Sequence, residues 1–201
     1  MSLPSFAVTF DYRCPFARNV HEHVVAGLRS GADWDVELVP FSLSRTKVEP
    51  GAPDGWDDPA SDSGLLALQV GVAVRDGQPE RFGDAHLALF ALRHDYGGDL
   101  RDPDALRAAL DRADADADAA FAEVASGTPL KKVQEEHTQA VADHAVWGVP
   151  TFITGPSAAF VRLMDRPGPD DAAAVRTIER IVGLLDGWPE LNELKHTTIS
   201  R

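Results

Sequence analysis

The chain has 201 residues, a formal net charge of −13 and a single cysteine. That length suits one domain, or one domain with a sizeable insertion, and an apolar fraction of 44% supplies a packed core. The acidic balance excludes nucleic acid and anionic membrane surfaces as partners, since both attract basic patches, and one thiol excludes an internal disulfide. Met1 to Pro4 carries no basic segment, and the apolar stretch to Phe10 is too short for a signal peptide or a membrane span. On these grounds the sequence is read as that of a cytoplasmic protein, in a reducing compartment.

Residues 5–11 read as a buried strand. Residues 15–29 read as a helix, with Val20, Val24 and Leu28 on one face and a stop at Ser30-Gly31. Trp34 to Phe41 alternates apolar and acidic residues, as a strand with one covered face does. Parallel pairing through a crossover helix is the default for such a β-α-β start. Ser44 to Ser63 is a loop rich in Pro, Gly and Asp. Its Trp56 either anchors the loop to the core or lies over the site as a lid.

Leu65 to Val74 is apolar enough for a buried helix, though its alternation also permits a strand. Helical patterns follow over Arg81–Tyr96, Asp102–Ala113 and Thr128–His144. Phe152 to Thr154 and Ala158 to Met164 flank Gly155-Pro156-Ser157 as a hairpin. A last helix is capped by Asp170 and carries Val175, Ile178, Val182 and Leu185 as its core stripe, ending at Gly187-Trp188-Pro189 before a polar tail.

Cys14 falls where the first strand gives way to the first helix, with Pro15 at the first helical position. Proline suits that position because its missing N–H has no helical partner to lose. A thiol there faces free backbone N–H groups and the positive end of the helix dipole, which stabilise the thiolate. The alternative is an inert buried cysteine. Arg18, four residues on, shares the helix face of Cys14 and either steadies a thiolate or substrate carboxylate or is a solvated arginine. Phe16 either projects beside the thiol or belongs to the core of the turn. Arg13 adds positive charge in an undetermined direction.

Strand, then Cys14-Pro15-Phe16-Ala17 at a helix start, resembles the active-site turn of the thioredoxin superfamily, and the Cys-Pro pair resembles its DsbA-like branch. Val149-Pro150-Thr151 before an apolar strand resembles that superfamily's cis-proline loop; the other reading is a trans proline at a strand start. The resemblance implies an α/β fold: a thioredoxin-like core in two parts, 1–62 and 147–201, with a helical insertion at 63–146. It implies a catalytic Cys14 facing Pro150, with Val149 offering its backbone to an extended substrate. Pro15, Phe16, Arg18, Val149, Pro150 and Thr151 form the candidate substrate-binding set. The chain departs from the pattern at Ala17, where the family usually has its second cysteine. Two-cysteine cycling is therefore not expected.

Other motifs fail. Asp114, Asp116 and Asp118 lack the glycine and glutamate of a calcium loop, and His21-Glu22-His23 is not a zinc-protease pair. His86, His94, His137 and His144 are read as surface or capping residues of the insertion. No metal and no tightly bound cofactor is expected. The expected function is a thiol-dependent oxidoreductase or transferase. Glutathione or mycothiol serves as external co-substrate, a disulfide or an electrophile as substrate, and a homodimer is an open option. The alternative is a non-catalytic peptide or small-molecule binding module on a degenerate scaffold.

Overall fold

The structure, a computed structural model, describes residues 4–46, 56, 58, 61–195 and 198. Most of the loop over Ser44 to Ser63 and the end of the polar tail lie outside the described residues. The chain opens with strand β1 (Ser5–Phe10), helix α1 (Pro15–Arg29) and strand β2 (Asp35–Pro40). A short 3-10 turn, Leu43–Arg45, follows. Five helices come next: α2 (Leu65–Gly77), α3 (Pro79–His94), α4 (Pro103–Arg112), α5 (Ala117–Ser126) and α6 (Thr128–His144). Strands β3 (Thr151–Thr154) and β4 (Ser157–Phe160) and helix α7 (Asp171–Gly187) complete it.

The four-stranded sheet has the order β2-β1-β3-β4. β1 runs parallel to β2, with Phe6 opposite Val36 and Phe10 opposite Pro40, and antiparallel to β3. As an interior strand β1 buries Phe6, Val8 and Phe10. Pro40 is tolerated because β2 is an edge strand, where a missing donor breaks no ladder. Helix α1 begins at Pro15 and stops where Gly31 takes φ 85°, a left-handed turn that glycine adopts without penalty. It packs against α7 and α3, so its inner residues Val20 and Val24 are fully buried.

The ambiguous run from Leu65 is helical. Packing against α3, α5 and α6 explains its lack of a polar stripe. The acidic stretch hides an unanticipated element: Asp116 caps α5 by accepting from the Ala119 N–H at 2.9 Å. Asp170 precedes α7, but its carboxylate takes Arg176 rather than a backbone N–H. In the stripe of α7, Ile178 and Val182 are buried, whereas Val175 and Leu185 are only half-buried.

The insertion is tied to the sheet by a buried polar chain. Tyr12 Oη lies 2.9 Å from His86 Nδ1, His86 Nε2 lies 2.9 Å from His21 Nδ1, and His21 Nε2 lies 3.2 Å from the Thr9 carbonyl. All three side chains are fully buried. A carbonyl only accepts, so His21 must donate from Nε2. His21 Nδ1 then accepts from His86 Nε2, and His86 Nδ1 accepts from the Tyr12 hydroxyl. Phe10 and Phe90 pack edge-on around these rings. The surface role expected for His86 is therefore corrected. So is that for His137 of α6, which is buried against Phe41, just past β2. A helical stripe with one imidazole on it does not reveal that a tyrosine from another element will pair with it.

Tyr12 also limits α2. A Cβ on Gly71 would stand 2.3 Å from Tyr12 Oη. Gly71→Ala is expected to destabilise the fold by roughly 1–3 kcal/mol through overpacking, read as a lower denaturant midpoint at unchanged slope. Acid sensitivity follows from the histidines. Burial lowers His21 to about 4, and His86 well below its ordinary value. The unfolded chain takes up those protons first, so this stability is complete above about pH 6.5 and is lost as the pH falls from there toward 4. Denaturant midpoints between about pH 7.5 and 4.5 will show the decline, at up to about 1.4 kcal/mol per pH unit for each histidine. A flat profile would mean that the folded rings take up protons as readily as those of the unfolded chain.

Candidate functional site

Cys14 caps α1. Its φ of −90° and ψ of 117° turn the chain from extended to helical, and its sulfur accepts from the Ala17 N–H at 3.4 Å. The Cys14 N–H bonds back to the Asp11 carbonyl at 2.9 Å, closing the turn. Across the site, the Val149–Pro150 bond is cis, and the Cys14 thiol donates to the Val149 carbonyl at 3.3 Å. The structure thus brings Cys14, Pro15, Val149, Pro150 and Thr151 together. Thr9 holds the proline loop to β1: its hydroxyl accepts from the Thr151 N–H at 2.9 Å, while the Thr151 hydroxyl donates to the Gly148 carbonyl at 2.8 Å.

The turn between Phe10 and Cys14 is clamped from several sides. Asp11, fully buried, takes the Arg13 guanidinium side-on and also accepts from the Leu43 N–H at 2.9 Å. Arg13 reaches onward to Ser44 Oγ at 2.6 Å and to Asp62 Oδ1 at 3.3 Å. Its charge is therefore directed away from the thiol and into this carboxylate pair. His94 Nε2 donates to the Tyr12 carbonyl at 2.9 Å, so α3 grips the turn through backbone as well as side chain.

Arg18 stands apart from the thiol. Its Nε bonds Glu22 Oε1 at 2.8 Å and its Nη2 bonds Asp95 Oδ2 at 2.5 Å, while Arg166 bonds the other Glu22 oxygen at 2.6 Å. The guanidinium fastens α1 to the end of α3. The cation that does bear on Cys14 is Arg162, which follows β4 and lies 5.1 Å from the centroid of the half-buried Phe16 ring. On the other side Arg162 meets Phe160, and Phe160 meets the exposed Trp147 at 4.7 Å. Nothing in the local sequence marks Arg162; only the hairpin's return toward α1 does so.

The ionisation of Cys14 differs from the sequence expectation. Burial pushes the thiol up, the N–H groups of Ala17 and Phe16 pull it down, Asp11 adds to the rise and Arg162 opposes it. The net direction is upward. The helix start does supply donors, but the thiol is only 9% exposed, and lost hydration outweighs them.

Neither a protein-family model nor a curated protein matches the chain. Solved structures do. The oxidoreductase NmDsbA1 from N. meningitidis superposes with a TM-score of 0.59 at 15% identity, covering 93% of this chain and 86% of its own. The chain has the DsbA-like thioredoxin fold. A 2-hydroxychromene-2-carboxylate isomerase matches with a TM-score of 0.60 at 14% identity, over 93% of this chain and all of its own. A periplasmic thioredoxin-like protein from Salmonella enterica serovar Typhimurium matches with a TM-score of 0.54 at 17% identity, over 86% and 82%. This last likeness overturns the cytoplasmic placement read from the sequence. The same DsbA-like architecture serves a periplasmic protein, and one thiol cannot cross-link internally in any compartment, so the cysteine count had no bearing on location. Among the described residues, no helix is long and apolar enough to cross a membrane and no group of metal-ligating side chains converges.

Alkylation of native Cys14 is expected to follow a titration midpoint above the ~8.5 of a free cysteine, returning to that value on denaturation. Arg162→Met should move the native midpoint further up, because the opposing charge is removed. A native midpoint below about 7.5, in the range of activated cysteines, would contradict this electrostatic account.

Proposed function

We propose that this DsbA-like chain is a single-cysteine, thiol-dependent oxidoreductase or transferase that works with an external low-molecular-weight thiol such as glutathione or mycothiol. The observation that supports it most is the placement of Cys14. Its sulfur sits between a helix-start N–H and the carbonyl of a cis-proline loop, with Arg162 bearing on it and Ala17 where a second thiol would have to be. The chemistry is a two-step exchange. Cys14 gives up its proton to solvent and attacks one sulfur of a disulfide. The S–S bond breaks, the displaced thiolate takes a proton, and a mixed disulfide remains on Cys14. An external thiol then attacks that mixed disulfide, releases the bound group as a new small disulfide and restores the Cys14 thiol. One S–S bond is consumed and one is formed across the two steps, so the cycle needs no oxidant or reductant beyond the substrate disulfide and the external thiol. Ala17 has no sulfur and takes no part.

The protonated resting thiol favours a second reading, in which Cys14 stays neutral and the site holds a small thiol that itself attacks an electrophile. An isomerase shares the fold, so the fold by itself does not dictate disulfide exchange. Ala17→Cys separates the readings. In the exchange reading, native protein treated with glutathione disulfide traps a mixed disulfide that persists until external thiol is added. In Ala17→Cys the bound thiol is expelled internally, leaving a 14–17 disulfide. Intact-protein mass spectrometry reports both species. Failure of the native protein to form any mixed disulfide, together with turnover of an electrophile that survives Cys14→Ser, would favour the second reading. Failure in both assays, with ligand binding retained, would leave a binding module.

A further inference from the structure

A second polar cluster is linked to the Cys14 turn through Asp62, which Arg13 also contacts. Arg45 ends the 3-10 turn after β2, and its side chain is only 10% exposed. Its Nε and Nη2 are buried and have no hydrogen-bond partner among the described residues. His137 from α6 is 5% exposed, and its Nδ1 is likewise unpartnered. Both groups converge on Trp56, with the Arg45 guanidinium 5.3 Å and the His137 ring 5.5 Å from an indole centroid. Asp62 is the nearby carboxylate, yet its Oδ2 stands 3.9 Å from Arg45 Nε, beyond hydrogen-bond reach. That oxygen is taken by Ser42 Oγ at 2.6 Å, and Oδ1 by the Gly64 N–H at 2.9 Å.

The neighbouring arginine shows what such an edge is for. Arg13 uses the same two nitrogens, Nε and Nη2, to hold both oxygens of Asp11 side-on. Nε and Nη2 share one edge of the planar guanidinium and match the spacing of a carboxylate. Arginine stays charged, and a buried charged donor without an acceptor is strongly unfavourable, so buried donors are nearly always paired. In Arg45 this edge is presented from a buried side chain, beside a histidine that burial lowers to about 4 and that is therefore neutral at pH 7. In its Nδ1–H tautomer that histidine adds a third donor. Asp62 stands between Arg45 and Arg13, Arg13 is held by Asp11, and the Asp11 carbonyl accepts from the Cys14 N–H, so contacts link the cluster to the thiol turn.

We propose that Arg45, with His137, receives a carboxylate of the small thiol that reacts at Cys14. This rests on the thiol-dependent reading above and narrows it. The site would select a carboxylate-bearing thiol of the glutathione kind over a sugar thiol such as mycothiol, which has no carboxylate.

The test uses S-methylglutathione, which keeps both carboxylates but has no thiol to react, titrated into the intact protein by calorimetry. It is expected to bind. Its dimethyl ester, and S-methylglutathione with Arg45→Gln, should each bind roughly ten- to hundred-fold more weakly, as loss of a charge-assisted bidentate contact predicts. Arg45→Lys, which keeps the charge but not the fork, should stay weakened. No binding of S-methylglutathione, equal binding of its ester, or equal binding by Arg45→Gln would each overturn the proposal. Should Arg45→Gln fail to fold, the ester comparison on unmodified protein decides. Because the probe cannot exchange, the outcome is separable from the mixed-disulfide assay: a carboxylate site without exchange would sink the oxidoreductase reading alone, and exchange without a carboxylate site this proposal alone.

Discussion

The hydrogen bond from the Cys14 thiol to the Val149 carbonyl spans 135 positions of sequence and joins the two halves of the sheet region at one point. Much of the fold serves to bring its ends together. β1 delivers the cysteine at its end and, through Thr9, holds the loop that carries Val149 and Pro150. β1 can do both because it is an interior strand, paired with β2 on one side and β3 on the other. The five helices between β2 and β3 intervene without disturbing that register, because both ends of the excursion are fixed on the same strand.

The electrostatics around this contact run against the usual picture of a thiol at a helix start. A net charge of −13 leaves few uncommitted cations, and most arginines near the turn are engaged. Arg13 is held by Asp11 and Asp62, and Arg18 by Glu22 and Asp95. Arg162, placed between two phenylalanine rings, acts on the sulfur as a positive charge. Burial prevails, so the sulfur rests as a thiol that donates to the Val149 carbonyl while accepting from the Ala17 N–H. This is a local outcome of packing Cys14 against the core. It is the reason that exchange at Cys14 and activation of a bound thiol both fit the same geometry.

Much of the architecture was legible in the sequence because it is written in local signals. Pro15 after a strand end, Gly31 past a helix and four-residue apolar spacing place α1 at Pro15–Arg29. The resemblance carried by two short motifs also anticipated the cis bond at Pro150. What stayed hidden depends on contacts between distant elements. The side chain of Arg18 shares a helix with Cys14 yet is drawn off by Asp95, a residue on the insertion that no spacing rule connects to it. Arg162 and His86 carry no sequence signal, since each acquires its role from an aromatic or hydroxyl partner far away in the chain. α5 escaped notice because three alternating aspartates suggest a metal loop or solvent before they suggest a helix cap.

The chain of rings from Tyr12 to Thr9 has a further consequence. Because it ends on a main-chain carbonyl, which accepts a hydrogen bond but does not take up a proton, each proton along it has one address. It therefore cannot serve as a proton wire. What it does is make α1, α3 and β1 share a single opening event. Pulling α3 away from the sheet would strand a hydroxyl and two imidazoles at once inside an aromatic box. Slow amide exchange should accordingly unite the helical excursion and the central strand in one cooperative unit, even though chain order separates them.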